Sequence, residues 1–280
     1  MAYRKILFGM QLGLCVLVCV FLILPMGLSV IAGLTNNYFV GLDSGLTLRW
    51  VLEVWGGYHD TIFRSVWIAL ACVFVTLIIG VPAAYVLHRS PQRLARWLEE
   101  LLVLPIAVPG LATALALIAM YGGWGNLRSS WLFILIGHVL FTLPFMVRSV
   151  LAVLGGIDLH TLEEGGASLG ANFTQRFFHI VLPNCRQGIL AGALMVLTLS
   201  MGEFNMTWLL HTPFTKTLPV GLADAYASLR LEVGSAYTLL FFLMIVPLLL
   251  LMQAIAQPRQ KKFELVEDEV VILLSESAKS

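Results

Sequence analysis

Residues 164–183 read EGGASLGANFTQRFFHIVLP, and this polar stretch decides how the rest of the chain is interpreted. It lies between two strongly apolar segments, where a membrane protein ordinarily has a short loop. Within it, Glu164 and Gly170 are followed after nine residues by Ile180 and then by a Leu-Pro pair. A polar segment of this length indicates a surface that makes an interaction outside the bilayer.

The composition identifies an integral membrane protein. Hydrophobic residues make up 59% of the 280 residues and charged residues only 12%, too few charges to cover a soluble globule of this size. Crossing a bilayer core about 30 Å thick takes about 20 apolar residues in a helix. We therefore predict an all-α membrane protein with six transmembrane helices, near residues 6–33, 63–87, 100–121, 130–154, 187–210 and 234–256.

The distribution of Lys and Arg predicts the orientation, because these residues concentrate on the cytoplasmic side of inner-membrane helices. With the N-terminus inside, the inner segments contain Arg4, Lys5, Arg89, Arg93, Arg96, Arg148, Arg176, Arg186, Arg259, Lys261, Lys262 and Lys279. The outer segments contain Arg49, Arg64, Arg128, Lys216 and Arg230. This bias predicts a multi-pass protein of the cell inner membrane, with both termini and the polar stretch on the cytoplasmic side.

The chain is predicted to have three parts. Residues 1–62 hold the first transmembrane helix and an outer loop, with a short interfacial helix around residues 48–55. Residues 63–256 form the membrane core domain. Residues 257–280 form a cytoplasmic tail whose polar composition predicts disorder.

Prolines within the apolar segments predict bent helices, because each proline lacks a backbone donor. The third predicted helix carries both Leu104-Pro105 and Pro109-Gly110. This pair is the best candidate for a hinge at which one helix of the bundle could move. Kinked helix packing alone would also explain it.

The start of the polar stretch has the chemistry of a short capped helix. Thr161 and Glu164 are spaced as a capping box, in which each side chain bonds the other residue's amide. Gly170 is a favoured left-handed stop for such a helix. Gly165 and Gly166 each cost about 1 kcal/mol relative to Ala, so we expect the helix to depend on a partner surface.

The spacing of the stretch resembles the "EAA" loop in the membrane subunits of binding-protein-dependent ABC importers. That loop reads Glu-Ala-Ala, three residues, Gly, nine residues, Ile, one residue, Leu-Pro. Here Glu164, Gly170, Ile180 and Leu182-Pro183 fall in register, while glycines occupy the two Ala positions. The resemblance implies a type I ABC importer permease fold, with an N-terminal helix followed by a five-helix core.

In that family the loop helix is the coupling helix, which inserts into a cleft of a cytoplasmic ATP-binding subunit. The resemblance therefore implies that the ATPase-coupling residues are Glu163, Glu164, Gly165, Gly166, Ala167, Gly170, Ile180, Leu182 and Pro183. It also implies a second permease subunit, identical or different, and a periplasmic or lipid-anchored substrate-binding protein. The chain contains no G-x-x-x-x-G-K-[ST] motif, so ATP hydrolysis is assigned to separate subunits. No cofactor, metal site or nucleic-acid partner is predicted.

Glu203 is a second candidate functional residue. It lies roughly 24 Å into the fifth predicted helix, where a carboxylate without a partner is costly. We expect it to face the bundle interior, a water-filled cavity or a partner, with Ser200 and Asn205 placed to hydrogen-bond to it. These three residues are candidates for the substrate pathway, and structural hydrogen bonding is the alternative. His138, in the fourth helix, is predicted to be a hydrogen-bonded packing residue.

Two other classes of protein compete with this interpretation. A channel or secondary carrier would explain six helices and one buried acid, but it gives no reason for the spacing of residues 164–183. Residues 166–170 match the G-x-S-x-G nucleophile elbow of hydrolases. That elbow requires a buried strand before the serine, whereas here the preceding residues form a polar helix start.

The substrate is predicted only as a preference. The step Ser200-Met201-Gly202-Glu203 and the segment Leu218-Pro219-Val220 resemble importers for phosphonates, oxyanions and ferric iron. We favour 2-aminoethylphosphonate, with an inorganic oxyanion, ferric iron or a polyamine as alternatives.

Overall fold

The computed structural model describes residues 2–256, so the predicted tail at residues 257–280 lies outside the described residues. The elements within them are helical. They are α1 (Ala2–Ala32), α2 (Arg49–Arg89), α3 (Gln92–Ala107), α4 (Gly110–Tyr121), α5 (Trp131–Leu154), α6 (Leu159–Ser168), α7 (Phe173–Arg176), α8 (Leu182–Asn184), α9 (Arg186–Gly202), α10 (Asn205–Leu210), α11 (Leu218–Ala227) and α12 (Leu231–Ala256), with a π-helical turn at Phe177–Val181 and 3-10 turns at Gly41–Ser44 and Leu127–Ser129.

Four of these helices are long and apolar enough to cross a membrane: α1, α2, α5 and α12. Two further pairs qualify only together, because each is sharply bent. The bend is 99° between α3 and α4, and 69° between Phe173–Asn184 and α9. The described residues therefore hold four spans by this measure, or six if each bent pair crosses once, and the predicted all-helical membrane fold is confirmed.

Helix α2 joins two elements that the sequence treats separately. It spans 41 residues from Arg49 and is kinked at Tyr58, whose φ −136° and ψ 15° are not helical. The interfacial helix expected around residues 48–55 is therefore the part of α2 before the kink, and the predicted boundary at residue 62 falls in the part after it. At roughly 46 Å the part after the kink is still longer than the bilayer core, so one end must extend beyond it.

The third predicted helix is broken where the prolines indicate. Pro105 lies inside α3 without ending it, whereas Val108 and Pro109 are extended, with ψ near 131° and 135°. A proline ring clashes with the preceding residue in helical geometry, and the proline itself has no N–H to donate. The predicted discontinuity is thus confirmed at Val108-Pro109, while its movement stays a prediction.

The main core lies between α2, α5 and α9. Its centre contains large side chains with little or no exposure, among them Phe133, Ile134 and Met146. Gly188 lets α9 approach α5 closely, since an added Cβ would lie 2.6 Å from the Ser149 carbonyl oxygen. Small residues at such contacts are typical of helices that pack in membranes.

The prediction of one continuous fifth helix at residues 187–210 is wrong in its C-terminal part. Helix α9 ends at Gly202, Glu203 is extended with ψ 115°, and a separate short helix, α10, begins at Asn205. A hydrogen bond that the Glu203 side chain accepts from the new helix, described below, stabilises this break.

Candidate functional site

Helix α6, at the start of the polar stretch, begins at Leu159 and is capped by Asp158. The Asp158 carboxylate accepts hydrogen bonds from the Thr161 hydroxyl at 2.7 Å and the Thr161 amide at 3.2 Å. Both bonds favour the ionised carboxylate and therefore lower the pKa of Asp158. The bond from the Thr161 hydroxyl has the larger effect. The predicted capping box is therefore wrong. The helix starts earlier because Leu159 is buried in the core and Asp158 supplies the cap.

Helix α6 ends in a Schellman turn at Gly170. Gly170 has φ +85°, a conformation that strains any residue with a Cβ. Its N–H donates to the Ala167 carbonyl at 2.9 Å, and the Ala171 N–H donates to the Gly166 carbonyl at 3.1 Å. These bonds satisfy carbonyls that the helix end leaves open. The predicted left-handed stop at Gly170 is confirmed.

Glu163 points into the protein, with 2% of its surface exposed. The Tyr85 hydroxyl donates to Glu163 Oε1 at 2.8 Å, and an Arg89 guanidinium nitrogen lies 3.3 Å from Oε2. Arg89 also donates to the Tyr85 hydroxyl at 2.6 Å. These contacts attach α6 to the C-terminal end of α2. Sequence analysis missed the contacts of Tyr85 and Arg89, because their partner is distant along the chain, 78 residues from Tyr85.

The two glycines of α6 have different surroundings. A Cβ added to Gly166 would lie 2.6 Å from Ile180 Cδ1, so this glycine permits close packing against the second half of the stretch. A Cβ added to Gly165 would have nothing within 4 Å. Gly166 and Ile180 therefore support the loop from within, whereas Gly165 lies on its open side.

The open side of α6 combines a carboxylate with apolar side chains. The Glu164 side chain is 67% exposed and lies 3.4 Å from His160 Nδ1. Leu162 is 44% exposed and Leu169 is 91% exposed. Ala167 and Ser168 are exposed as well. Leu162 and Leu169 were missed in the sequence, where large apolar residues inside a polar segment were the available signal.

The second half of the stretch is a bent helical segment. Asn172 and Gln175 form a reciprocal capping box at its start. The Leu182 N–H bonds to the Phe177 carbonyl five residues back, which makes the π-helical turn. Pro183 follows and has no N–H to continue the regular ladder. Leu182 and Pro183 thus shape the bend that leads into α9.

Glu203 lies at the break between α9 and α10. Its Oε1 accepts a hydrogen bond from the Met206 N–H at 2.6 Å. A Cβ placed on Gly110, the first residue of α4, would lie 3.5 Å from the same oxygen. The carboxylate therefore stands at the starts of two helices, where the helix dipoles stabilise negative charge.

Ser200 makes a different contact from the one expected. Its hydroxyl lies 2.8 Å from His138 Nδ1, and His138 Nε2 lies 2.8 Å from Thr207 Oγ1. The possible bond from Ser200 to Glu203 is thus replaced by one to His138, which is 1% exposed. The hydrogen-bonded packing role predicted for His138 is confirmed. Asn205, by contrast, is exposed at the start of α10.

Two ion pairs lie far from α6, one within the α11 region and one between α2 and the turn before α12. Lys216 pairs with Asp224 and Arg230 with Glu53. Lys216, Asp224 and Arg230 border a cavity of about 370 Å³ together with Tyr58. Across residues 2–256, no three His, Cys, Asp or Glu side chains are grouped to hold a metal ion.

Comparison with known proteins places these features in a family. Residues 77–262 match the family described as "Binding-protein-dependent transport system inner membrane component". A Salmonella typhimurium protein named for a 2-aminoethylphosphonate transport system is 28% identical over 240 residues, covering 85% of this chain and 89% of that protein. The sulfate transport system permease protein of Synechocystis is 28% identical over 214 residues, covering 71% and 77%. A Haloferax volcanii protein named for molybdenum ABC transport is 29% identical over 199 residues, covering 69% and 73%.

The fold also matches a solved structure. A chain from the crystal structure of a bacterial ABC transporter involved in the import of the acidic polysaccharide alginate aligns with a TM-score of 0.68. The alignment covers 90% of this chain and 94% of that one, and at 14% identity it shows the fold alone. The channel, carrier and hydrolase alternatives give way to the family match, which covers most of the chain. The chain belongs to the binding-protein-dependent transport system inner membrane components and is the permease of an ABC importer.

Proposed function

We propose that α6 docks this permease onto cytoplasmic ATP-binding subunits. The observation that carries the proposal is the open side of α6, where Leu162, Glu164 and Leu169 are exposed on a helix whose other side is held by Glu163 and Gly166. A helix of 10 residues is marginal in isolation. Its two caps and its buried carboxylate present these side chains in a fixed arrangement. Exposed apolar side chains of this kind are typical of a protein interface.

The residues of the stretch then divide into two roles. The contact side consists of Leu162, Glu164, Gly165, Ala167 and Leu169. The supporting side consists of Glu163, Gly166, Gly170, Ile180, Leu182 and Pro183. This division accounts for the two glycines, since one faces the partner and the other faces Ile180.

The proposed orientation has α6 and both termini in the cytoplasm. The five basic residues on the proposed outer side support it, because each has a structural contact. Arg64 donates to the Lys216 carbonyl at 3.0 Å, Arg128 donates to the Leu209 carbonyl at 2.9 Å, and the Arg49 guanidinium lies 4.9 Å from the Trp50 ring. The other two are in the ion pairs described above. The basic residues on the proposed outer side thus have structural roles within the fold. The remaining Lys and Arg residues lie on the proposed cytoplasmic side, as the positive-inside rule expects.

The proposed assembly contains a second permease subunit, two ATP-binding subunits and a periplasmic or lipid-anchored binding protein. ATP inside and the loaded binding protein outside favour one conformation of the permease pair, and hydrolysis restores the other. In this cycle the chain supplies half of the pathway and one docking helix. The break at Val108-Pro109 lies beside the break at Glu203. We propose that the helices bend at these two breaks when the pathway opens and closes.

For the substrate we propose 2-aminoethylphosphonate. The Salmonella relative named for this transport is one support. The other is Glu203, because a carboxylate beside the pathway attracts the ammonium group of this zwitterion and repels a simple dianion. Asn205 is the second pathway candidate, since it is exposed beside Glu203, whereas Ser200 is buried against His138. The sulfate and molybdenum relatives make an inorganic oxyanion the second candidate.

The docking proposal is tested on the complex purified through a tag on this chain and reconstituted with its binding protein. Gly170→Asp should abolish stimulation of ATP hydrolysis by the loaded binding protein, because a side chain opposes the positive φ that ends α6. Glu164→Ala should lower it, while Glu100→Ala, which removes an exposed carboxylate from α3, should leave it unchanged. Wild-type stimulation in the Gly170→Asp complex would contradict the proposal.

The substrate proposal is tested by uptake in cells that express the intact transport system. Radiolabelled 2-aminoethylphosphonate should accumulate, and unlabelled 2-aminoethylphosphonate should compete while sulfate and molybdate do not. Accumulation of sulfate or molybdate, without that of the phosphonate, would assign the oxyanion class instead.

A further inference from the structure

Tyr85, Arg89 and Glu163 form a closed set of three contacts between α2 and α6. In addition to the hydrogen bonds described above, the Arg89 guanidinium lies 5.6 Å from the centre of the Tyr85 ring. Tyr85 is 5% exposed and Glu163 is 2% exposed, so water has little access to the bond between them. A hydrogen bond in such surroundings holds its geometry more firmly than one at a wet surface.

Tyr85 also contacts the second half of the polar stretch. Its ring lies 5.6 Å from the Phe177 ring in a T-shaped arrangement and 6.2 Å from the Phe173 ring. One side chain of α2 therefore touches both arms of the loop, α6 through its hydroxyl and the segment before α9 through its ring. The two covalent connections of α6 are turns, at Gly155-Gly156 and at Gly170, and glycine can adopt many backbone conformations. The side-chain contacts link α6 to α2 directly.

The part of α2 that carries Tyr85 follows a proline. Pro82 lies three residues before Tyr85 and has no N–H, so the Ile78 carbonyl lacks its regular helical partner. Residues 83–89 are thus joined to the central part of α2 through a weakened ladder. On both sides of Pro82, α2 packs in the main core, through Val81 before it and Ala84 after it.

We propose that the Tyr85–Glu163–Arg89 cluster carries displacements of α6 directly into α2, with Tyr85 as the positioning residue for energy coupling. This inference rests on the proposed docking of ATP-binding subunits at α6. When a docked subunit moves α6, residues 83–89 move with it as one body, and α2 adjusts at Pro82. The core contacts of α2 then bring the displacement to its opposite end.

The test follows α2 beyond Pro82 and does not depend on the substrate. A cysteine replaces Phe63, which is 58% exposed near the far end of the span, in a chain without native cysteines. Maleimide labelling is compared without nucleotide and with ATP plus vanadate. Complexes are isolated through the ATP-binding subunit, so only assembled molecules are measured, and trapped nucleotide is counted in the same samples.

Two variants distinguish the effect of the Tyr85 hydroxyl from the effect of the Glu163 charge. Tyr85→Phe removes one hydroxyl and should reduce the ATP-dependent change in labelling rate by about fivefold or more, the effect of losing one buried hydrogen bond. Glu163→Gln keeps the acceptor for Tyr85 and should reduce it less. The two changes together should be less than additive, because both act through one contact. The labelling change of each variant is divided by the trapped nucleotide measured in the same sample.

Tyr226→Phe is the matched control. The Tyr226 hydroxyl lies 3.2 Å from Ser235 Oγ, between α11 and α12, so its loss also removes a tyrosine hydrogen bond. The ATP-dependent change should survive in this variant, and an equal loss there would overturn the specific role of Tyr85. A full change in Tyr85→Phe, or no change in the parent chain, would also overturn it.

Failure of the docking proposal would look different. If Gly170→Asp also keeps the full ATP-dependent change, docking at α6 is wrong. If Gly170→Asp loses the change while Tyr85→Phe and Glu163→Gln keep it, docking stands and only the role of the cluster is wrong. Should Tyr85→Phe assemble poorly, Glu163→Gln decides, because it retains the shape of the buried side chain.

Discussion

Single residues of the polar stretch take their roles from which side of α6 they occupy. Glu163 and Glu164 are neighbours in the chain, yet the first is buried against Tyr85 and the second is exposed. Successive helix positions are about 100° apart, so adjacent residues face different surroundings. The same rotation separates Gly165, which is open, from Gly166, which packs against Ile180. A motif of adjacent residues therefore contains both the proposed interface and the residues that hold it in place.

The difference between the two glycines predicts unequal effects of alanine. Gly165→Ala should stabilise α6 by about 1 kcal/mol through helix propensity, slowing amide exchange in α6 about fivefold. Gly166→Ala should gain less, because its methyl group meets Ile180 Cδ1 at 2.6 Å and that side chain must move. Hydrogen exchange of the purified chain, resolved to α6, measures both. Equal slowing in the two variants would contradict the close packing of Gly166.

At this scale the sequence reveals local chemistry and misses partners. The stop at Gly170 was predictable, because it depends on backbone conformation alone. The cap was misplaced, because Asp158 and Thr161 are both competent caps and the burial of Leu159 decides between them. The inward orientation of Glu163 was not predictable, since it depends on Tyr85, which is brought there by the packing of α2.

At the scale of helices, the breaks are the informative features. Both interrupted segments contain a residue that favours interruption, Pro109 in one and Glu203 in the other. The proline was a clear signal in the sequence. Glu203 was not, because its effect depends on a side chain folding forward onto the Met206 amide. Uninterrupted apolar helices such as α5 and α12 were predicted within about three residues.

The break at Glu203 predicts how its variants behave. Glu203→Gln keeps an acceptor for the Met206 amide, so the complex should assemble at normal yield, whereas Glu203→Leu loses the cap and should cost about 1 kcal/mol. If Glu203 also attracts the substrate ammonium group, Glu203→Gln should lower 2-aminoethylphosphonate uptake. Glu232→Gln is the control, because Glu232 Oε1 likewise accepts an amide hydrogen bond, from Tyr38 at 2.9 Å, and lies away from the break. Normal uptake by both Glu203 variants would remove this carboxylate from the pathway.

The hydrogen bonds of His138 predict a large stability effect from one buried side chain. His138→Ala leaves the hydroxyls of Ser200 and Thr207 without their partner in the interior, and each such group costs about 1–3 kcal/mol. We expect the purified chain to lose at least about 2 kcal/mol of unfolding free energy in mixed micelles. His59→Ala is the control, because that side chain is 48% exposed and should change stability by less than about 0.5 kcal/mol. An equally small effect at His138 would show that these bonds contribute little.

At the scale of the whole molecule, the permease has an end held by ion pairs and an end that carries the proposed docking helix. At one end, Arg230 in the turn before α12 pairs with Glu53 of α2, and Lys216 in the loop before α11 pairs with Asp224 of that helix. At the other, α6 is fixed to α2 by Tyr85 and presents Leu169 outward. Helix α2 runs between the two, so it connects the end that holds the ion pairs to the end that we propose meets the ATP-binding subunits.

This arrangement predicts opposite accessibility of the two ends in intact cells. Cysteines are placed singly at Phe214, which is 85% exposed in the loop before α11, and at Ser168, which is exposed at the end of α6. The background chain lacks the native cysteines Cys15, Cys19, Cys72 and Cys185. A membrane-impermeant maleimide should label the cysteine at 214 in intact cells and the one at 168 only after permeabilisation. Expressed with its ATP-binding subunit, the chain should show slower labelling at 168, because docking covers this surface. Labelling of position 168 from outside intact cells would reverse the topology and place α6 out of reach of cytoplasmic ATP-binding subunits.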